Sequence, residues 1–266
     1  MKLAALGTNA RAPLALLLTL LLFLALATPA FAEGQTATDS AQLSDVTLAK
    51  VGEAKAVAQG VAVAGPARAL SKAIVQQINV QVVAGPKETR SNSTQTATNE
   101  ANVNQTTLAA SGDATGADGG VALTGSATAG SLAIVHQINI QIIAGWAPSG
   151  GVTQTASNTA DVDQTTVAAS GSADASGDGS VARSGDASAL SVTRVHQKNI
   201  QIYVGRKPFV TDGPVVQTAT NSLSVDQTTL ALTGDAVAAD HGVASTGDAR
   251  ARAFALAKQT NRQLAW

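Results

Sequence analysis

Amide side chains at fixed spacing are the groups in this chain with the most chemistry to offer. Gln95, Asn99 and Gln105 lie in QTATNEANVNQTT. Gln154, Asn158 and Gln164 repeat them in QTASNTADVDQTT, and Gln217, Asn221 and Gln227 repeat them in QTATNSLSVDQTT. A worn copy, QTATDSAQLSDVT, starts at Gln35 and carries Asp39 and Asp45 where the others carry Asn and Gln. A second amide row closes each unit. Gln137, Asn139 and Gln141 lie in IVHQINIQII, Gln197, Asn199 and Gln201 in RVHQKNIQIYV, and Gln259, Asn261 and Gln263 in LAKQTNRQLAW. A primary amide both donates and accepts, so like amides stacked at a strand spacing of about 4.8 Å can bond into a column. Each bond contributes a net of only about 0.5 to 1.5 kcal/mol. Summed over many columns, this stabilises the stack and fixes its register, because a slip strands buried polar groups. Such columns serve either as an internal ladder in a monomer or as a template for fibre assembly, and the residues alone leave both open.

Two other sets of side chains invite chemistry. His136 and His196 occupy matching positions one repeat apart, where stacking could pair them as metal ligands. Gln76 and Lys258 fill that position in the other units, so no metal site is assigned. Asp113, Asp118, Asp178, Asp186, Asp235, Asp240 and Asp248 gather at Gly-containing turns, where carboxylates can hold Ca²⁺. The Ca²⁺-binding nonapeptide of β-rolls is not matched, and turn geometry accounts for the same residues. Nucleophile elbows, zinc-protease helices and phosphate loops have no counterpart here, so no catalytic residue and no cofactor is assigned and the chain reads as a non-enzyme.

The elements that carry these groups are strands. In each copy of the first stretch every second residue is retained and the alternate ones drift among Thr, Ser, Asp, Asn and Glu. Period two is the strand signature, and the retained face is expected to be buried. Each unit then shows paired glycines, such as Gly112 and Gly125 or Gly171 and Gly185, with Asp-Gly turns between them. Each glycine is expected to open a short Ala-rich strand, as in Asp186-Ala187-Ser188-Ala189. The closing strands, Ile74 to Val83, Ile134 to Ile143, Arg194 to Val204 and the degraded Leu256 to Trp266, put Gln-Asn-Gln on one face and β-branched residues on the other. Pro86, Pro148, Pro208 and Pro214 punctuate the linkers. The reading is all-β: four repeats of about 60 residues (35–85, 95–145, 154–205 and 217–266), as a β-solenoid or β-roll, or as stacked long hairpins.

Composition agrees with thin layers. Of 266 residues only 3% are aromatic, and cysteine is absent, so neither a large core nor disulfides hold the fold. Lys2 and Arg11, the apolar run Leu14 to Ala27 and Ala30-Phe31-Ala32 make a secretory signal, residues 1–32, before Glu33. The alternative is a retained anchor, since Pro13 to Ala32 is about long enough to span a bilayer. Cleavage leaves 33–266 as one repetitive β domain with net charge −1 − 2 = −3, which excludes a basic field for nucleic acid. After cleavage no span remains, and the product is secreted or held at the cell surface.

Gly171 to Leu190 (GSADASGDGSVARSGDASAL) resembles the β-roll head repeats of trimeric autotransporter adhesins, over about 20 of each 60 residues. The amide-bearing strands resemble curlin-type fibre subunits, although the curlin spacing is not reproduced. Both resemblances imply bacterial surface or matrix proteins. The expectation is therefore an exported structural or adhesive repeat protein, self-assembling through Gln/Asn ladders. The alternative is a binding module that holds Ca²⁺, surface glycan or matrix on its Asp-rich turns and polar strand faces.

Overall fold

A computed structural model describes residues 34–85, 93–145, 151–205 and 213–266. The signal expected at residues 1–32, Trp146, Pro86, Pro148 and Pro208 lie outside the described residues. The described chain is all-β. Each repeat contributes one strand to each of four sheets. The first coil comprises β1 (Gly34–Lys50), β2 (Ala54–Ala56), β3 (Val61–Val63) and β4 (Ala67–Gly85). The second comprises β5 (Ser93–Ala110), β6 (Ala114–Gly116), β7 (Val121–Leu123) and β8 (Ala127–Gly145). The third comprises β9 (Val152–Ala169), β10 (Ala173–Ala175), β11 (Val181–Arg183) and β12 (Ala187–Gly205). The fourth comprises β13 (Val215–Leu232), β14 (Ala236–Ala238), β15 (Val243–Ser245) and β16 (Ala249–Ala265). No helix of the described residues is long and apolar enough to cross a membrane.

All the sheets are parallel, and equivalent residues of successive repeats face one another: Asp39, Asn99, Asn158 and Asn221 stand in line. The two long strands of a coil belong to different sheets and meet only through side chains. The molecule is therefore a solenoid of flat coils. Each long strand extends about 60 Å, and successive coils rise about 4.8 Å.

The short strands differ from the sequence expectation. The Ala-rich run after the second glycine, Asp186 to Ala189, opens the returning long strand β12, and the second short strand is Val181–Arg183, ahead of that glycine. The closing strands likewise begin well before Ile134 and Arg194. Gly125, Gly185 and Gly247 are corners between β7, β11 or β15 and the long strand that follows. A Cβ on any of them would run into the backbone of the glycine one coil below. Glycine sets these corners by close stacking, and the alanines beyond it simply fill a narrow interior. The turn between the short strands needs left-handed backbone in several coils: Asp118 and Gly119 adopt φ 53° and 80°, and Asp240 and His241 adopt 49° and 63°.

The interior inverts ordinary burial. The largest fully buried side chains are nine glutamines and three valines. Apolar packing is confined to small clusters, chiefly Ala73, Val75, Ala101, Val103, Ala133, Val135, Ala160, Val162 and Val195 at mid-strand, with alanine alone near the narrow edge. Alanine is required because glutamines reach past it: Gln77 and Gln81 donate to the carbonyls of Glu100 and Thr96, beside Ala101 and Ala97. Long and short side chains interdigitate, which closes the space between the sheets.

Candidate functional site: an amide zipper with open ends

All eighteen candidate amides project from the inner faces of the two long-strand sheets. Period-two alternation puts Gln95, Asn99 and Gln105 on the same side of β5 as Ala97, Ala101 and Val103. In the two central coils these amides are fully buried. The structure assembles them into columns. Gln154 Nε2 donates to Gln95 Oε1 at 2.8 Å, and Gln217 Nε2 to Gln154 Oε1 at 2.7 Å. Gln164 donates to Gln105, and Gln227 to Gln164. In the facing sheet Gln197 donates to Gln137, Gln259 to Gln197, Gln201 to Gln141 and Gln263 to Gln201.

The asparagines do more than stack. Asn79, Asn99, Asn139, Asn158, Asn199, Asn221 and Asn261 form one continuous zigzag across the two sheets, each Nδ2 donating to the next Oδ1 at 2.8–3.0 Å. Vertical bonds run beside it, such as Asn99 to Asn158 and Asn139 to Asn199. Bonds linked in series polarise one another in a low-dielectric interior. The sequence showed two separate amide rows. It did not show that their asparagines merge, because that depends on which strand faces which.

Orientation is fixed by backbone partners. The same Nε2 atoms that climb the glutamine columns also donate to main-chain carbonyls opposite, as Gln137 does to Thr159 and Gln197 to Ser222. Asn139 and Asn199 anchor on Ser157 and Thr220 in the same way. In consequence the glutamine amides point their N–H groups toward the first coil, and the asparagine amides point theirs toward the fourth. The two ends are thus chemically different. The fourth coil ends in the acceptor oxygens of Gln217, Gln259 and Gln263 and in asparagine donors. The first coil ends in glutamine N–H groups and in the carboxylates of Asp39 and Asp45. Among the described residues neither end is covered, and each end strand has a sheet neighbour on one side only. Asp45 accepts from Ser71 Oγ.

The other candidates fall elsewhere. Asp113 Oδ1 accepts from the Ser172 backbone N–H at 2.7 Å, and Asp186 Oδ1 from that of Asp248 at 2.9 Å. These turn carboxylates cap the coil above. No cluster of three or more His, Cys, Asp or Glu suited to a metal occurs among the described residues. His136 and His196 do meet, edge to face with ring centroids 5.8 Å apart, on the outer surface of β8 and β12. Desolvation first, and then the charges of His136, Lys258 and Lys198, hold the His196 imidazolium below its ordinary pKa of 6.5. Above that value the residue is neutral whether folded or not. As pH falls through it, the unfolded chain binds the proton more readily, so stability is lost until the folded value is passed. His196→Gln, which copies Gln76 of the first coil, is expected to reduce the drop in melting temperature between about pH 7.5 and about pH 5. An unchanged drop would exclude His196 as its source.

Family models, curated proteins and solved structures were all compared with the chain, and none matches it.

Proposed function

We propose that this is an exported structural protein whose coils continue from one molecule to the next, building a surface or matrix fibre by head-to-tail stacking. The observation that carries this reading is Gly52. Its equivalents Gly112, Gly171 and Gly234 each lie so close to the coil below that a Cβ would enter the backbone of the preceding glycine. Gly52 belongs to the first coil and has nothing within 4 Å of its Cβ direction. The folded monomer does not need glycine there. A fourth coil of another copy, seated below, does need it.

The ends match in hydrogen bonding as well. Donors of Gln35, Gln77 and Gln81 would meet the acceptors of Gln217, Gln259 and Gln263, and Asp39 would accept from the asparagine donors of the other copy. One residue opposes the match. Asp45 replaces the glutamine of its column and has no N–H to offer Gln227 Oε1. It works as a brake on growth, as inward charges do at sheet edges.

Purified Glu33 to Trp266 should form fibres by electron microscopy and thioflavin binding. Gly52→Ala should leave the monomer folded by circular dichroism and abolish the fibres, whereas Asp45→Gln should shorten the lag. A wild-type chain that stays monomeric at every concentration, or a Gly52→Ala chain that polymerises normally, would sink the reading.

A further inference from the structure

Turning amides inward turns aliphatics outward. On β8, Ile138, Ile140 and Ile142 alternate with the buried Gln137, Asn139 and Gln141. In-register stacking joins them to the next coils, giving the columns Val80–Ile140–Ile200 and Val82–Ile142–Ile202–Leu264. Farther along the same face Leu70, Ile74 and Phe254 are 59%, 56% and 57% exposed. This face also carries eight Lys and Arg side chains, among them Arg68, Lys72, Arg194, Lys198, Arg252 and Arg262, and its strands hold no carboxylate; at its edge Arg250 pairs with Asp248 at 3.2 Å. The opposite outer face, on β1, β5, β9 and β13, is Thr and Ser with Glu100, Asp161, Asp163 and Asp226 over most of its length, and ends in the aliphatic column Leu48–Leu108–Val167–Leu230 beside the exposed Val46 and Leu232. The solenoid is a blade with one cationic side and one acidic side, and the cationic side carries the greater number of aliphatic columns.

We propose that the cationic side lies on an anionic lipid bilayer, its cations at the headgroup phosphates and its aliphatic columns at the acyl boundary. Charge selects this occupant. Two copies meeting on this face would set eight cations against eight. The acidic face of another copy would set only four carboxylates, Glu100, Asp161, Asp163 and Asp226, against the eight cations. An anionic amphiphile answers both the charge and the aliphatic columns, and a flat sheet of ordered side chains suits a planar surface. The same combination of an apolar stripe and flanking cations holds amphipathic helices at interfaces.

The test is flotation of Glu33 to Trp266 with vesicles of phosphatidylcholine alone or with about 30% phosphatidylglycerol. Partitioning should be at least about tenfold stronger to the anionic vesicles, and should fall steeply between about 0.1 M and about 0.5 M salt. Arg194→Glu with Lys198→Glu should lower it by about tenfold or more. Ile140→Thr with Ile200→Thr, which keeps β-branched residues in the strands, should lower it several-fold. Thr159→Gln on the acidic side should leave it unchanged. Equal partitioning to neutral and anionic vesicles, or none to either, overturns the proposal. So does a lipid-free dimer that Ile140→Thr with Ile200→Thr dissolves, because the occupant is then a second copy.

Discussion

Asn158→Leu is expected to lower the unfolding free energy by at least about 3 kcal/mol, while Thr159→Leu one residue away should change it by no more than about 0.5 kcal/mol. Asn158 stands at the middle of the zigzag. Its Nδ2 donates to Asn199 and Asn221, at 2.8 and 2.9 Å, and its Oδ1 accepts from Asn99 and Asn139, at 2.9 and 3.0 Å. Leucine keeps the branched outline and is bulkier, so no cavity is left and packing loss is not the issue. The cost comes from the partners, because the donors of Asn99 and Asn139 and the acceptors of Asn199 and Asn221 lose a bond where water cannot replace it. An unpaired buried polar group costs about 1–3 kcal/mol. Thr159 projects outward, and only its backbone carbonyl is used, as an acceptor for Gln137. Urea unfolding of both variants checks the pair, and equal midpoints would mean that the facing of β9 is wrong.

Gly171→Ala is the second large effect. The added methyl would be driven into the Gly112 carbonyl, with the Asp113 nitrogen 2.8 Å away. These are backbone atoms, so no rotamer can relieve the clash. The coils must part at that corner, which strains the neighbouring bond from Ser172 N to Asp113. We expect a loss of about 3 kcal/mol or more, or failure to fold. The same change at Gly52 should be neutral or stabilising by up to about 1 kcal/mol, since alanine restricts the unfolded chain. Thermal melts of the two variants give the comparison directly. A Gly171→Ala protein that melts like wild type would contradict the close stacking of the glycine column.

Much of this architecture is readable in the chain because it repeats itself. Four imperfect copies act as an internal comparison: Asn99, Asn158 and Asn221 are kept while Glu100, Thr159 and Ser222 drift, and that contrast separates inside from outside without other sequences. Period two gives the strands, and the shared spacing gives the parallel register. What stayed hidden depends on facing between sheets. The union of Asn79 with Asn99 and Asn139 follows from how β4, β5 and β8 oppose one another, which no one-dimensional pattern encodes. The second short strand is not legible because three residues such as Val181–Arg183 are too few to show alternation, whereas the Ala-rich run beyond Gly185 shows it clearly. The outward facing of the isoleucines is hidden for a simpler reason. A run such as IVHQINIQII is the most apolar strand of its unit, and hydropathy alone points its aliphatic side inward.

The amide-lined interior also shapes how stability varies with temperature. Unfolding a typical domain raises the heat capacity by about 12–15 cal/mol/K per residue, because newly wetted apolar surface adds to it and newly wetted polar surface subtracts. Here the groups released to water are chiefly glutamine, asparagine and alanine, and many of the larger aliphatics already face out. The heat-capacity increment is therefore small for the chain length, and the curve of free energy against temperature is shallow. A fold built this way gains little at its optimum and forfeits little in the cold, where hydrophobic cores weaken.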